Sequence, residues 1–445
     1  MEVKLKKSLE NQVFERILAF FIESSDFNGM PLRDVSREFR ISYANSIQIV
    51  KKLVESNLVS IQSSTNPHII GHKHHAIADQ IHILSEAKNI KQKREKVGNI
   101  VIIVEETDYP ICLYPSQSVL RKSRDVSAIS ESYYTLALAL GEPQLAFRFF
   151  EIDVLDRYFK DPRYDFSFMD YSGRISCQTD ESGNPILEEK DQVFLKTFGL
   201  GFDEENSRVA VSFVRYLSDM PKHHQEYWKS KEIVRPCKVL KEYYDNAING
   251  EWSNSFSMFT GFIGELDCVY ELTKLIFGQS LFIRSFTGEN QPREFSLFFI
   301  PTLHNYNEFV SLLDKMLSDN ISFDFFKGKI EQYEKRPIED GVIERVKRGT
   351  IQLTEDWFSS NFKPRDPNAI NHLFAIWKKV RKERQNPAHK IQQNQYDKVF
   401  EQRQRELISE AYNSMYNFRI AFQQHPSAAG FEVPSWLDTG VAKAF

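Results

Sequence analysis

The sequence predicts a multidomain α+β protein, and three observations carry that prediction. Its 445 residues exceed what one hydrophobic core normally serves. The N-terminal hundred residues set helical spacing beside short extended runs, and the last hundred show helical spacing alone. Between them both periods occur. The expected organisation is a compact N-terminal domain with a charged linker over 1–97, a mixed α/β middle over 98–345 and an all-α bundle over 346–445.

Composition narrows the class. Hydrophobic residues make up 41% of the chain, enough for packed cores, and no apolar run approaches bilayer length. The start, Met1-Glu2-Val3-Lys4-Leu5-Lys6-Lys7, lacks the apolar core of a signal peptide, so a cytoplasmic protein with no membrane association is expected. Cys112, Cys177, Cys237 and Cys268 form no CxxC pair. They read as buried free thiols in a reducing compartment, with neither a zinc knuckle nor a disulfide framework. A formal net charge of −4 gives no bulk attraction to nucleic acid, so any such binding must come from local patches.

From the start, Asn11 to Ser24 sets Val13, Ile17, Leu18, Phe20 and Phe21 at helical spacing. Leu32, Val35 and Phe39 share one side of a short second helix. Arg40-Ile41-Ser42 makes a turn, and Ser42 is the expected N-cap of a third helix. That helix reaches about Asn57 and buries Ile47, Val50, Leu53 and Val54. Leu58 to Ile61 reads as a strand, Gln62 to Pro67 as a turn, and His68 to Gly71 as the return strand.

Three short helices followed by a hairpin, with Leu32-x-x-Val35-x-x-x-Phe39-x-Ile41-Ser42 before the longer helix, resemble a winged helix-turn-helix domain. The resemblance implies that the third helix turns Tyr43, Asn45, Ser46, Gln48, Lys51 and Lys52 outward, towards base edges and phosphates of duplex DNA. A role in protein contact or dimerisation stays open for such a domain. His68, His72, His74 and His75 read as solvated histidines of a wing tip rather than a metal site. Ala76 to Leu84 fits a helix, and the charged run Glu86 to Lys96 reads as a solvated linker or helix face.

In the middle, Ile100 to Val104 reads as a buried strand, and Tyr109 to Pro115 as a second extended piece. A helix is expected over Ser130 to Leu140, ended by Gly141. Ala146 to Ile152 fits a strand or a buried helix, and periodicity does not choose between them. A hairpin is expected around Ser172-Gly173. Asp153, Asp156, Asp161, Asp165 and Asp170 crowd one region, but no motif joins them to a catalytic lysine, so surface acidity is expected there. Val209 to Leu217 reads as core, Pro236 to Asn249 and Phe256 to Phe277 as helices, Glu294 to Pro301 as a strand and Asn307 to Leu317 as a helix. Walker loops, dinucleotide fingerprints and Gly-x-Ser-x-Gly elbows are absent from the sequence, so no cofactor and no metal are expected. Glu331 to Arg348 reads as a charged link to the last region, whose first helix spans Gln352 to Phe362.

The last region carries the chemistry. Ile370, Leu373, Phe374, Ile376, Trp377 and Val380 recur at helical spacing, as do Tyr396, Val399, Phe400, Leu407, Ile408, Ala411, Tyr412 and Met415. Between these helices runs Arg384-Gln385-Asn386-Pro387-Ala388-His389. Pro387 lacks an N–H and is expected to kink or restart a helix, holding Arg384 and His389 near a helix end. A guanidinium clamps phosphate oxygens, and an imidazole moves a proton at neutral pH. Lys378, Lys379, Arg381, Lys382 and Lys390 surround the pair and predict a local positive field.

An arginine and a histidine with four residues between them, at a junction of helices, resemble the motif of the HEPN family. The resemblance covers about the last quarter of the chain. It implies a metal-independent endoribonuclease that dimerises so that two motifs face one cleft. His389 would shuttle the proton or orient the 2′-hydroxyl, Arg384 would stabilise the charged phosphorus centre, and Asn386 or Gln385 would help position the substrate. Lys378, Arg381 and Lys382 would hold RNA. It also implies, by analogy, a toxin–antitoxin or antiphage setting. Two other readings stay open: a DNA-binding regulator whose C-terminal bundle only dimerises the chain, and a non-catalytic assembly protein.

Overall fold

The computed structural model describes residues 8–24, 26–64, 66–71, 73–87, 91–97, 100–106, 111–123, 131–286, 290–338, 342–366, 368–388 and 393–445. The protein is mixed α+β, about 49% helical and 19% strand. It divides into two compact units, residues 1–154, 162–165 and 174–237 in one, residues 155–161, 166–173 and 238–445 in the other. The expected boundaries at 97/98 and 345/346 do not coincide with this division. The last helices complete a core that already begins at Phe262 and runs to Ala428.

In the first unit, helix α1 (Leu9–Glu23) buries Val13, Ile17 and Phe21. Helices α2 (Leu32–Glu38) and α3 (Tyr43–Glu55) follow, and the Ser42 hydroxyl caps α3 by accepting from the Asn45 N–H at 3.1 Å. Strands β1 (Met30–Pro31), β2 (Val59–Ser63) and β5 (Ile111–Pro115) form an antiparallel sheet in the order β1-β5-β2. Leu113 in the central strand faces Met30 on one side and Ile61 on the other.

The return strand is therefore β5, and His68 to Gly71 is not a strand. All five residues Ile111–Pro115 are buried, whereas of His68 to Ile70 only Ile70 is, so the later segment has the continuous buried surface that a central strand needs. Helix α4 (Ile77–Glu86) and an antiparallel hairpin, β3 (Lys91–Val97) with β4 (Ile100–Glu106), lie between β2 and β5 in the chain. Lys91 to Lys96 is thus strand rather than linker or helix. Ile100 to Ile103 is exposed rather than buried, because a two-stranded ribbon covers neither of its own faces.

Further along, α5 (Tyr133–Ala139) stops before Gly141, whose φ of +78° suits a residue without a Cβ. Strands β6 (Phe147–Glu151), β7 (Tyr164–Met169), β8 (Ser172–Cys177), β9 (Phe194–Asp203) and β10 (Arg208–Phe213) lie in the order β6-β10-β9-β8-β7. Phe147–Glu151 is thus a strand, with Phe149 opposite Val211. The turn between β7 and β8 falls at Asp170, with φ +57°, two residues before the expected Ser172-Gly173. Helices α6 (Val214–Ser218) and α7 (Lys222–Ser230) end this part.

In the second unit, α8 (Met258–Phe277), α9 (Leu303–Asp314), α10 (Thr350–Asn361), α11 (Ala369–Ala388) and α12 (Val399–Gln423) share one aromatic-rich core. α8 and α12 approach closely at Gly261, where a Cβ would meet the Tyr412 ring at 2.7 Å. The guanidinium of Arg419 on α12 and the carboxylate of Glu265 on α8 bond one another although they are 2% and 0% exposed. Glu294 to Pro301 forms no strand. Glu331 to Arg348 holds an exposed hairpin, β11 (Tyr333–Pro337) with β12 (Ile343–Lys347), where a link was expected. Among the described residues no helix is long and apolar enough to cross a membrane.

Candidate active site

The site is built on α11. Leu373, Phe374, Trp377 and Val380 bury one stripe of this helix in the core, and Trp377 Nε1 donates to Ser414 Oγ of α12 at 2.9 Å. The stripe fixes the rotation of α11, turns Lys378, Lys379 and Lys382 to the exposed side, and continues towards the C-terminus into the half-buried Arg381 and Arg384. α11 is assigned as one helix through Pro387 to Ala388, its last described residue, so no new helix starts at Pro387. Arg384 sits in the last two described turns of α11.

Arg384 is held tightly. Its Nη1 donates to Asp314 Oδ2 at 2.5 Å and to Asp319 Oδ2 at 2.7 Å. Arg381, one turn earlier, approaches Asp314 Oδ1 through Nε at 3.2 Å and Asp319 Oδ1 through Nη2 at 2.8 Å. Its Nη2 also reaches Ser318 Oγ at 2.5 Å. Asp314 is fully buried, so two guanidiniums compensate a charge that water does not reach. Arg384 keeps 30% of its side chain exposed.

The backbone explains how two aspartates meet two arginines. Asp314 ends α9, and Lys315–Asp319 continues as a π turn. In an α-helix, residues five apart point about 140° away from one another. The wider i→i+5 turn brings Asp319 back over Asp314.

Charge follows from this geometry. Burial pushes the Asp319 carboxyl upward, but hydrogen bonds from Arg384 and then Arg381, with their charges, outweigh it and leave the pKa below the ordinary aspartate value. The hydrogen bonds to Asp314 and Asp319 raise Arg384 above its ordinary value. Elsewhere near the end of α11, Tyr306 Oη donates to Glu383 Oε2 at 2.5 Å, and Arg403 stacks 4.3 Å from the Tyr306 ring centre. Burial first, then Glu383, pushes the Tyr306 phenol up.

The expected positive field is largely offset. Lys378 pairs with Glu355 at 2.6 Å and Lys379 with Glu410 at 2.7 Å, while Arg381 and Arg384 face Asp314 and Asp319. Lys382 and Gln385 are exposed. Asn386 lies within the helix. His389 and Lys390 fall outside the described residues, so the structure does not bear on the distance from Arg384 to His389.

At the N-terminal end, Asn45, Gln48 and Lys52 share an exposed face of α3. Ser46 is fully buried and Tyr43 half-buried with a buried hydroxyl, so neither faces outward as expected. Both positions turn towards the neighbouring helices once Ile47 and Val50 enter the core. Burial raises the Tyr43 phenol. Lys51 donates to Ser85 on α4 at 2.9 Å, and Lys52 pairs with Glu10 on α1 at 2.7 Å. His74 is likewise no solvated wing residue. Its Nε2 lies 2.9 Å from the Gly141 carbonyl, and burial lowers its pKa. His72 lies outside the described residues.

Asp314, Asp319, Glu383 and Tyr306 join the site without having been expected there. Nothing local marks Asp314 or Asp319 as partners of Arg384, and a π turn has no composition signal. No protein-family model, no curated protein and no solved structure matches the chain.

Proposed function

We propose that the chain is a metal-independent endoribonuclease of the HEPN type. The observation that carries the reading is Arg384 on α11, part-exposed and oriented by the buried Asp314. A catalytic guanidinium must hold one direction while charge builds on phosphorus, and a buried carboxylate behind it supplies that restraint. In this reading His389, next in sequence after Ala388, moves the proton of the attacking 2′-hydroxyl. Gln385 or Asn386 positions the phosphate, Lys382 with Lys378 and Arg381 contacts the RNA backbone, and two copies of the chain face one substrate. Growth arrest or defence is the setting that the resemblance suggests.

Cleavage of single-stranded RNA in EDTA tests it. His389→Ala is expected to lower the rate by about 10²-fold or more. Arg384→Ala does the same, and Arg384→Lys restores little, because one ammonium does not reproduce two directed N–H groups. Equal rates in wild type and both alanine variants would remove the mechanism.

A specific observation favours a second reading, a DNA-binding regulator. The order α1-β1-α2-α3-β2…β5 with sheet order β1-β5-β2 supports a winged helix whose wing carries α4 and the β3–β4 hairpin as an insertion. Asn45, Gln48 and Lys52 are then the contacts. Duplex binding at low salt, lost in Asn45→Ala/Gln48→Ala/Lys52→Ala, is the outcome that reading expects. No shift at low salt discards it.

A further inference from the structure

The first unit carries a constellation outside both sites: Asp191, His223 and His224. Their ligand-type atoms all lie within 4.8 Å of one another. His223 Nε2 sits 3.2 Å from Asp191 Oδ1, and the two imidazole centres are 4.0 Å apart with planes tilted by 47°. We propose that these three side chains form a binding site for a divalent transition-metal ion of the zinc class, with a fourth coordination position left to solvent.

The donor set selects the ion. Two imidazole nitrogens and one carboxylate oxygen suit Zn²⁺, Co²⁺ or Ni²⁺, whereas Mg²⁺ and Ca²⁺ want oxygen throughout. A tetrahedral ion with bonds near 2.1 Å holds its ligand atoms roughly 3.4 Å apart. The His223–Asp191 separation already matches, and the remaining ligand-type atoms lie within 4.8 Å of one another. The imidazoles bind such an ion in their neutral form.

The scaffold is pre-set. His223 and His224 open α7, and Gln225 beside them is buried and pins that turn. Its Nε2 donates to the Met220 carbonyl at 2.8 Å and the Ser218 carbonyl at 3.0 Å, while its Oε1 accepts from the Tyr134 N–H at 2.9 Å. Asp191 is held from behind, because Tyr164 Oη donates to its carbonyl at 2.9 Å. The Tyr164 ring also meets the His224 ring edge-on at 6.4 Å. His224 is fully buried, which gives the site a dry side. Opposing charge is limited: Lys190 pairs with Glu188 at 2.9 Å and Lys222 with Glu131 at 2.5 Å, so both nearby ammonium groups carry their own carboxylate. The first turn of α7 opposes a cation only weakly.

The experiment titrates the full chain, stripped of metal by dialysis, with Zn²⁺ alone in competition with a chromophoric chelator. One equivalent is expected. Asp191→Asn and His223→Gln are each expected to weaken it at least about tenfold. Both side chains are partly exposed, so these variants keep the metal-free unfolding midpoint, and Zn²⁺ raises that midpoint in wild type only. Co²⁺ gives ligand-field bands that both variants lose. The triple variant His68→Gln/His74→Gln/His75→Gln retains the equivalent. Absence of a stoichiometric ion overturns the proposal, as does an equivalent that survives Asp191→Asn/His223→Gln or disappears in the triple variant.

Discussion

Helices α3 and α11 carry the same kind of side chains to different ends. Both carry cations, and on each some of those cations have acidic partners. On α3 the partner of Lys52 is Glu10, a side chain 40% exposed. On α11 Arg381 and Arg384 share two partners, Asp319, which is 43% exposed, and Asp314, which is 0% exposed. An exposed pair exchanges freely with water and salt, so Lys52 stays available to a phosphate. A buried carboxylate has no solvent to fall back on, so Arg384 stays where Asp314 needs it. A cation count along a helix therefore says little about a binding surface until the depth of each counter-charge is known.

The largest test of that contrast removes both guanidiniums. Arg381→Ala/Arg384→Ala leaves Asp314 buried without compensation and should cost about 3–5 kcal/mol in urea unfolding. Adding Asp314→Leu should recover much of the loss, because the unpaired charge goes with it. A double mutant no less stable than wild type would mean that the buried carboxylate draws nothing from its arginines.

Acidification sharpens the same contrast. Folding lowers the Asp319 pKa, so the native state binds fewer protons there than the unfolded chain does. Its contribution is complete above the ordinary aspartate value of 3.8 and is lost as pH falls through the lowered value. Asp319→Asn should flatten the stability profile in that acid window and leave the profile above it parallel to wild type. An unchanged acid limb would separate Asp319 from the network.

Smaller effects bracket the two helices. Trp377→Phe removes the N–H that Ser414 accepts and part of a fully buried ring system, which should cost about 2–3 kcal/mol. Lys52→Ala should leave the unfolding midpoint unchanged within error, in high or low salt, because water replaces the lost partner. A large loss at Lys52 would erase the distinction between the helices.

Much of the helical content was legible, because a helix declares itself within a few turns. Val13, Ile17 and Phe21, then Ile47, Val50, Leu53 and Val54, and later Phe374, Trp377 and Val380 all enter cores as their spacing predicts. Ser42 caps α3 for the same local reason. Strand pairing was less legible. β5 takes the place assigned to His68–Gly71, because a central strand is chosen by what it buries rather than by nearness in the chain. The run at Ile100–Ile103 misled, since an apolar strand and a buried strand look alike until a second layer is found to be missing.

The residue types of the candidate site, its helical setting and its place beside Pro387 belong to the chain of letters alone. Whether those cations meet solvent or a carboxylate was decided only by the fold. A π turn brings Asp314 and Asp319, far back in the chain, against Arg381 and Arg384, and Coulomb energy depends on separation and on access to water rather than on distance along the backbone.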